Sequence, residues 1–172
     1  MLSGACEASF TNLFAVYGMA ENLSDPQILT YLSVFALGNL LYQMPIGWLS
    51  DRIDIHKVIL FNACVLPTCL LLIPFSIHTI LIYLLLFLSG GAIVGFYTLS
   101  LTLLGHGFSK KDLSRANMLF IVCFTIGGLF GPFISGYLVD YSSHFYMYFM
   151  ASLVLVYAIF VLIPKFRRAF IK

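Results

Sequence analysis

The sequence predicts an all-α membrane protein built from six transmembrane helices. Apolar residues make up 61% of the 172-residue chain and charged residues only 9%, whereas soluble domains are about half apolar and about a quarter charged. A soluble fold of this size could not hide so much apolar surface. Lipid is therefore the expected solvent for most of the chain.

Six segments approach the roughly 20 apolar residues that a helix needs to cross a bilayer. Asp25 and Pro26 predict the start of the second segment, because an N-cap carboxylate followed by proline is a helix start signal. Pro67 and Pro74 predict that the third is kinked or short. We predict a single bundle over residues 1–172, with spans at about 1–19, 27–50, 58–77, 79–104, 116–139 and 145–164.

All the Lys and Arg residues fall on one side of this topology. Basic residues that flank short loops stay in the cytoplasm, so we expect a multi-pass protein of the inner or plasma membrane with both termini cytoplasmic. The net charge is only +2, and nucleic acid is not expected as a partner. The nine basic residues are Arg52, Lys57, Lys110, Lys111, Arg115, Lys165, Arg167, Arg168 and Lys172.

Glycines recur where neighbouring helices are expected to touch. Gly91 and Gly95 are four residues apart in span four, and Gly127 and Gly131, followed by Pro132, have the same spacing in span five. Such spacing lets helix backbones approach closely in lipid. The glycines serve either ordinary helix packing or a sliding movement between helices.

Glu7 is the one acid well inside a predicted span. An ionisable side chain in hydrocarbon is expected to face a cavity, where a carboxyl group can exchange a proton near neutral pH. We expect Glu7 either to couple protons or contact a substrate, or to lie solvated in the inner headgroup zone.

Three uncharged polar residues are further candidates for a substrate path. Asn39 and Gln43 share one face of span two, because they are four residues apart, and Tyr97 lies in the middle of span four. Such groups either line a path for a small molecule or hydrogen-bond neighbouring helices. His, Cys and acidic residues show no metal-ligand spacing, and no nucleophile motif occurs. We therefore expect no enzyme activity, no metal and no cofactor beyond possible proton coupling.

The segment that follows span two carries a recognisable motif. Gly47, Leu49, Asp51 and Arg52, with Lys57 beyond them, resemble the cytoplasmic G-x-L-x-D-R-x-G-R-R/K signature of the major facilitator superfamily. Within it, Asp54 stands in the place of the second glycine. The resemblance implies a gating role for Gly47, Asp51 and Arg52.

The fifth span extends this resemblance to nearly the whole chain. Arg115-Ala116-Asn117 and the glycine-rich run from Gly127 to Gly136 are similar to the eleventh helix of the superfamily. The resemblance implies the C-terminal six-helix half of such a transporter, built from two inverted three-helix repeats.

Secondary transport of a small molecule by alternating access is the function that the resemblance implies. It also implies a second six-helix half, or a self-dimer, as the partner that completes the pathway within the lipid bilayer. The alternative is a non-transporting membrane module, or a truncated transporter fragment, that acts only through helix–helix association. Nothing in the sequence selects the substrate, the direction or the coupling ion.

Overall fold

Six α-helices make up the fold in a computed structural model that describes residues 1–142 and 144–162. No strand occurs among these residues, which confirms the all-α class. The end of the predicted sixth span at residue 164 and the basic tail after it lie outside the described residues. The helices are α1 Leu2–Ala20, α2 Asp25–Arg52, α3 Ile55–Ser76, α4 Leu81–Gly107, α5 Lys110–Tyr141 and α6 Phe145–Leu162.

Four of these helices are long and apolar enough to cross a membrane: α2, α3, α4 and, over Lys111–Val139, α5. α1 has 19 residues, but polar side chains such as Glu7 and Asn12 reduce its mean hydropathy. The described apolar stretch of α6, Phe145–Ile159, is shorter than a full span. The described residues therefore support four of the six predicted spans by length and composition.

Local capping sets two helix starts that differ from the sequence-based expectation. α2 is capped by Ser24 rather than Asp25, because the Ser24 backbone N–H donates to Gln27 Oε1 at 3.0 Å in a capping box. α5 begins at Lys110, six residues before the predicted span, because Ser109 precedes it as the N-cap and bonds Asp112. In both helices the N-cap serine is linked to the side chain three residues later, at the end of the first turn.

α1 and α5 form the first of two closely packed helix pairs. Gly127 lies against Met1, and Ser135 Oγ donates a hydrogen bond to Ser9 Oγ at 3.1 Å. The contacts advance in the same direction along both helices, so the two run parallel. A Cβ added at Gly127 would collide with the carbonyl oxygen of Met1, and a larger residue there would force the helices apart.

α2 and α4 form the second pair, and they pack in the same manner. Gly38 lies against Phe87, and Gly91 lies against Tyr42, so these helices are also parallel. A Cβ added at Gly38 would collide with the carbonyl oxygen of Phe87. The first helix of each three-helix set thus packs against the middle helix of the other set, as two interlocked repeats require.

The remaining helices are fastened to these pairs by buried contacts. Asn62 on α3 is fully buried, and its Nδ2 donates to the carbonyl oxygen of Ala92 on α4 at 2.6 Å. α6 packs against α3, and near its start the rings of Tyr146 and Tyr17 meet edge to face at 5.7 Å. This hydrogen bond links α3 to α4, although the buried Asn62 Oδ1 has no hydrogen-bond partner among the described residues.

The glycine crossings predict opposite effects for two alanine substitutions in α2. We expect Gly38→Ala to lower the free energy of unfolding by about 1–3 kcal/mol, because the new methyl group overpacks against a backbone carbonyl. Gly47→Ala is the matched control, since a Cβ there meets no atom within 4 Å, and it should add up to about 1 kcal/mol through helix propensity. Denaturation by SDS in mixed micelles measures both effects. A Gly38→Ala protein as stable as the original would contradict the role of this crossing.

Candidate functional site

One cavity is lined by residues from α1, α2, α4 and α5 together. Its volume is about 480 Å³. Three of the residues that the sequence marks as candidates, Glu7, Gln43 and Tyr97, lie on its wall. The full lining consists of Glu7, Gln43, Val94, Tyr97, Ile121, Phe124 and Thr125.

The cavity is open on one side of the bundle, and it lies well away from the C-terminal ends of α2 and α4. Gln43 is nine residues before the end of α2, and Tyr97 is ten residues before the end of α4, which corresponds to about 14–15 Å of helix at 1.5 Å per residue. This is about half of the ~30 Å hydrocarbon thickness of a bilayer. Glu7 reaches the cavity from the second turn of α1.

Aromatic rings form one wall of the cavity. Tyr97 packs against Phe124 with ring centroids 5.3 Å apart and planes at 74°, and against Phe120 at 5.2 Å. The contact with Phe124 is edge to face, which is a favoured arrangement of two aromatic rings. Both phenylalanines belong to α5, so the Tyr97 ring of α4 is positioned across the boundary between the two helix pairs.

Glu7 supplies the one acidic side chain of the cavity. The residue is partly buried, and no ion pair involves it within the described part of the chain. Thr11, one turn later, donates its hydroxyl to the backbone carbonyl oxygen of Glu7 at 2.8 Å, and this hydrogen bond does not involve the Glu7 carboxylate. No three His, Cys, Asp or Glu side chains come together among the described residues to hold a metal ion.

Asn39 does not line this cavity, although it shares a face of α2 with Gln43. Its Oδ1 is buried and has no hydrogen-bond partner among the described residues. Gly91 and Gly95 lie against Tyr42 of α2 and Asn62 of α3 respectively. Those two glycines therefore approach two different helices.

The glycines of α5 approach α1 alone. Gly131 lies against the backbone of Ala5, one turn after the contact between Gly127 and Met1. Pro132 follows within the helix, and its ring removes one backbone donor from α5.

The predicted gating residues lie near the end of α2. Arg52 lies over the ring of Trp48 at 4.3 Å from its centroid and forms no salt bridge with Asp51. Among the described residues, a Cβ at Gly47 would meet nothing within 4 Å, so Gly47 makes no close contact with another described helix. The gating role of Gly47, Asp51 and Arg52 stays a prediction.

Asp54 has a role that sequence reasoning missed. It is the N-cap of α3, and its Oδ1 accepts a hydrogen bond from the His56 backbone N–H at 3.0 Å. The residue that replaces the motif's second glycine therefore holds the start of the next helix. An aspartate directly before the apolar segment that begins at Ile55 was the available signal.

Other residues of the site were also missed. Phe124 and Thr125 carry no motif, and only the pairing of α5 with α1 brings them to Glu7. Gly4 and Gly90 complete the two helix crossings: Cβ atoms there would collide with the carbonyl oxygens of Phe124 and Phe35. Their signal was present, since each is a glycine inside an apolar span.

Comparison with known families agrees with this helical arrangement. The family model of the Major Facilitator Superfamily matches residues 1–169. The chain belongs to the Major Facilitator Superfamily. Its apolar helices and this membership identify it as an integral membrane protein, and the earlier resemblance to the superfamily is confirmed.

Two curated relatives carry the same assignment. The "uncharacterized MFS-type transporter YfkF" of Bacillus subtilis is 26% identical over 148 residues, which cover 86% of this chain and 38% of that protein. The "uncharacterized MFS-type transporter YcaD" of Escherichia fergusonii is 24% identical over 163 residues, 94% of this chain and 42% of that protein. The chain thus spans about two fifths of the length of these relatives. No solved structure matches it significantly.

The capping contact of Asp54 predicts different outcomes for two neighbouring aspartates. Asp54→Ala should lower the free energy of unfolding by about 0.5–2 kcal/mol, because α3 loses its N-cap. Asp51→Ala should cause no loss, since a negative charge in the last turn of α2 opposes the helix dipole. SDS denaturation of both purified variants measures the difference. Equal losses in the two variants would contradict the capping role.

Proposed function

We propose that this superfamily member is one six-helix half of a secondary transporter that moves a small molecule by alternating access. The observation that carries the proposal is the cavity of Glu7, Gln43, Tyr97 and Thr125, which combines polar groups from four helices at about mid-membrane depth. Transporters of this superfamily bind their substrates near the bilayer midplane, between helices of two repeats.

The proposal includes six membrane crossings with both termini in the cytoplasm of an inner or plasma membrane. The parallel α1 and α5, together with the parallel α2 and α4, support a chain that reverses direction at each short connection. The concentration of basic residues at the α2–α3 and α4–α5 connections supports the orientation. In this topology the two inverted repeats are α1–α3 and α4–α6.

A second six-helix bundle is the proposed partner. α2 and α5 are largely unburied over their apolar windows, and large side chains such as Met44 and Phe133 are about four-fifths exposed. The cavity is lined from one side only, and the relatives are more than twice as long as the matched region. A second bundle supplies the opposite wall, and the motif of Gly47, Asp51 and Arg52 then meets a neighbouring helix at the basic end.

Cysteine accessibility tests alternating access without knowledge of the substrate. In a background without the four native cysteines, we expect Thr125→Cys to react with a membrane-impermeant maleimide from either side of the membrane. Right-side-out and inside-out vesicles from producing cells measure this. His78→Cys and Ser109→Cys, in connections at opposite ends of the bundle, serve as references that label from one side each. Labelling of Thr125→Cys from a single side would instead support the non-transporting module.

Glu7 is the proposed proton-exchanging group of the transport cycle. Glu7 is the one carboxyl group among the lining residues, and the lining residues of α2 and α5 carry no ionisable side chain. A carboxyl group that alternates between water and a closed cavity can take up and release a proton.

Infrared difference spectra test the proton exchange directly. Lowering the pH should produce a protonated-carboxyl band in the original protein, and Glu7→Gln should remove part of that band. Glu21→Gln is the control, because Glu21 belongs to the opposite end of α1 and should leave the Glu7 contribution intact. An unchanged band in the Glu7→Gln protein would exclude this residue as the proton site.

A further inference from the structure

The cavity has an uneven charge distribution. Its lining includes one acidic side chain, Glu7, and no basic side chain. Along the lining helices the nearest basic residues are Arg52, nine residues beyond Gln43, and Arg115, six residues before Ile121. At 1.5 Å per residue these lie about 9–14 Å away along the helices, and long basic side chains extend towards the membrane surface.

A carboxylate in such surroundings favours a cationic ligand. Removing a charged group from water is costly unless an opposite charge accompanies it, and no described residue forms an ion pair with Glu7. An anionic ligand would meet repulsion without a counter-charge. The negative charge of the Glu7 carboxylate is therefore neutralised either by a proton or by a bound cation.

The walls select the kind of cation. Tyr97 and Phe124 present ring surfaces at a steep angle to each other, and aromatic faces attract cations with an energy that grows when water is excluded. Val94 and Ile121 add apolar surface. Small metal ions need several oxygen ligands, whereas this lining supplies one carboxylate, one amide and one hydroxyl beside the phenol.

We propose, on the basis of the transport function above, that the cavity binds a small organic cation with an apolar body. Its charge lies against Glu7, and its body packs against the exposed surfaces of the Tyr97 and Phe124 rings. Gln43 and Thr125 contribute neutral hydrogen-bonding groups at the edge of the site. The substrate class of the transporter is thereby a monovalent, lipophilic cation.

Equilibrium binding to the full-length protein in lipid nanodiscs tests this proposal. The probe is radiolabelled methyltriphenylphosphonium, and the matched neutral competitor is triphenylphosphine oxide, which has a similar shape without a net charge. Empty nanodiscs correct for partition into lipid. We expect the cation to bind saturably. The neutral compound should compete at least about tenfold less well than unlabelled cation does, which is equivalent to about 1.4 kcal/mol.

Variants assign the binding to the cavity. Glu7→Gln should weaken cation binding about tenfold or more, whereas Glu7→Asp keeps the charge and should retain most of it. Tyr97→Leu should weaken binding several-fold through loss of the aromatic face. Glu21→Gln, at the other end of α1, should bind as the original protein does, and SDS denaturation verifies that each variant is folded.

The outcomes separate this proposal from the transport function. Unchanged binding in Glu7→Gln, equal affinity for the neutral compound, or an equal loss in Glu21→Gln would each overturn the cation site. Since binding needs no gradient, a selective cation site in a protein whose Thr125→Cys labels from one side only would preserve the site and reject transport. Labelling of Thr125→Cys from both sides in a protein without cation selectivity would support transport and reject the cation site.

Discussion

The architecture depends on close contact between helix backbones at glycine. In lipid, apolar side chains gain little by leaving the bilayer, so association relies on van der Waals contact and interhelical hydrogen bonds. Gly38 and Gly127 let α2 meet α4 and α1 meet α5 at distances that no side chain permits. With either crossing opened, the residues of the cavity would no longer face one another.

The sequence was sufficient to predict the all-helical class and three residues of the cavity, for one physical reason. A polar or ionisable side chain in an apolar span is costly unless it faces a cavity or a partner, so Glu7, Gln43 and Tyr97 stand out without any structure. Phe124 is different: an aromatic residue in an apolar helix has no distinguishing pattern. Its role follows from the parallel pairing of α5 with α1, which depends on matching surfaces of two distant segments.

The gating segment shows a second limit of the sequence. A motif identifies Gly47 and Asp51 by their order along the chain, but it does not specify which residues they contact. Asp54 differs from the motif and yet makes a local contact that its own position explains. Local capping was therefore predictable in principle, whereas the contacts of the motif residues were not.

The two helix pairs give the cavity an additional property. Glu7 and Phe124 belong to one pair, and Gln43 and Tyr97 belong to the other, while contacts between the pairs are much sparser than those within each pair. A molecule that touches both walls spans this sparsely packed boundary. Its affinity therefore depends on the spacing of the pairs, and by reciprocity its arrival shifts that spacing. Binding of such a molecule and movement of the α1–α5 pair relative to the α2–α4 pair are therefore thermodynamically coupled.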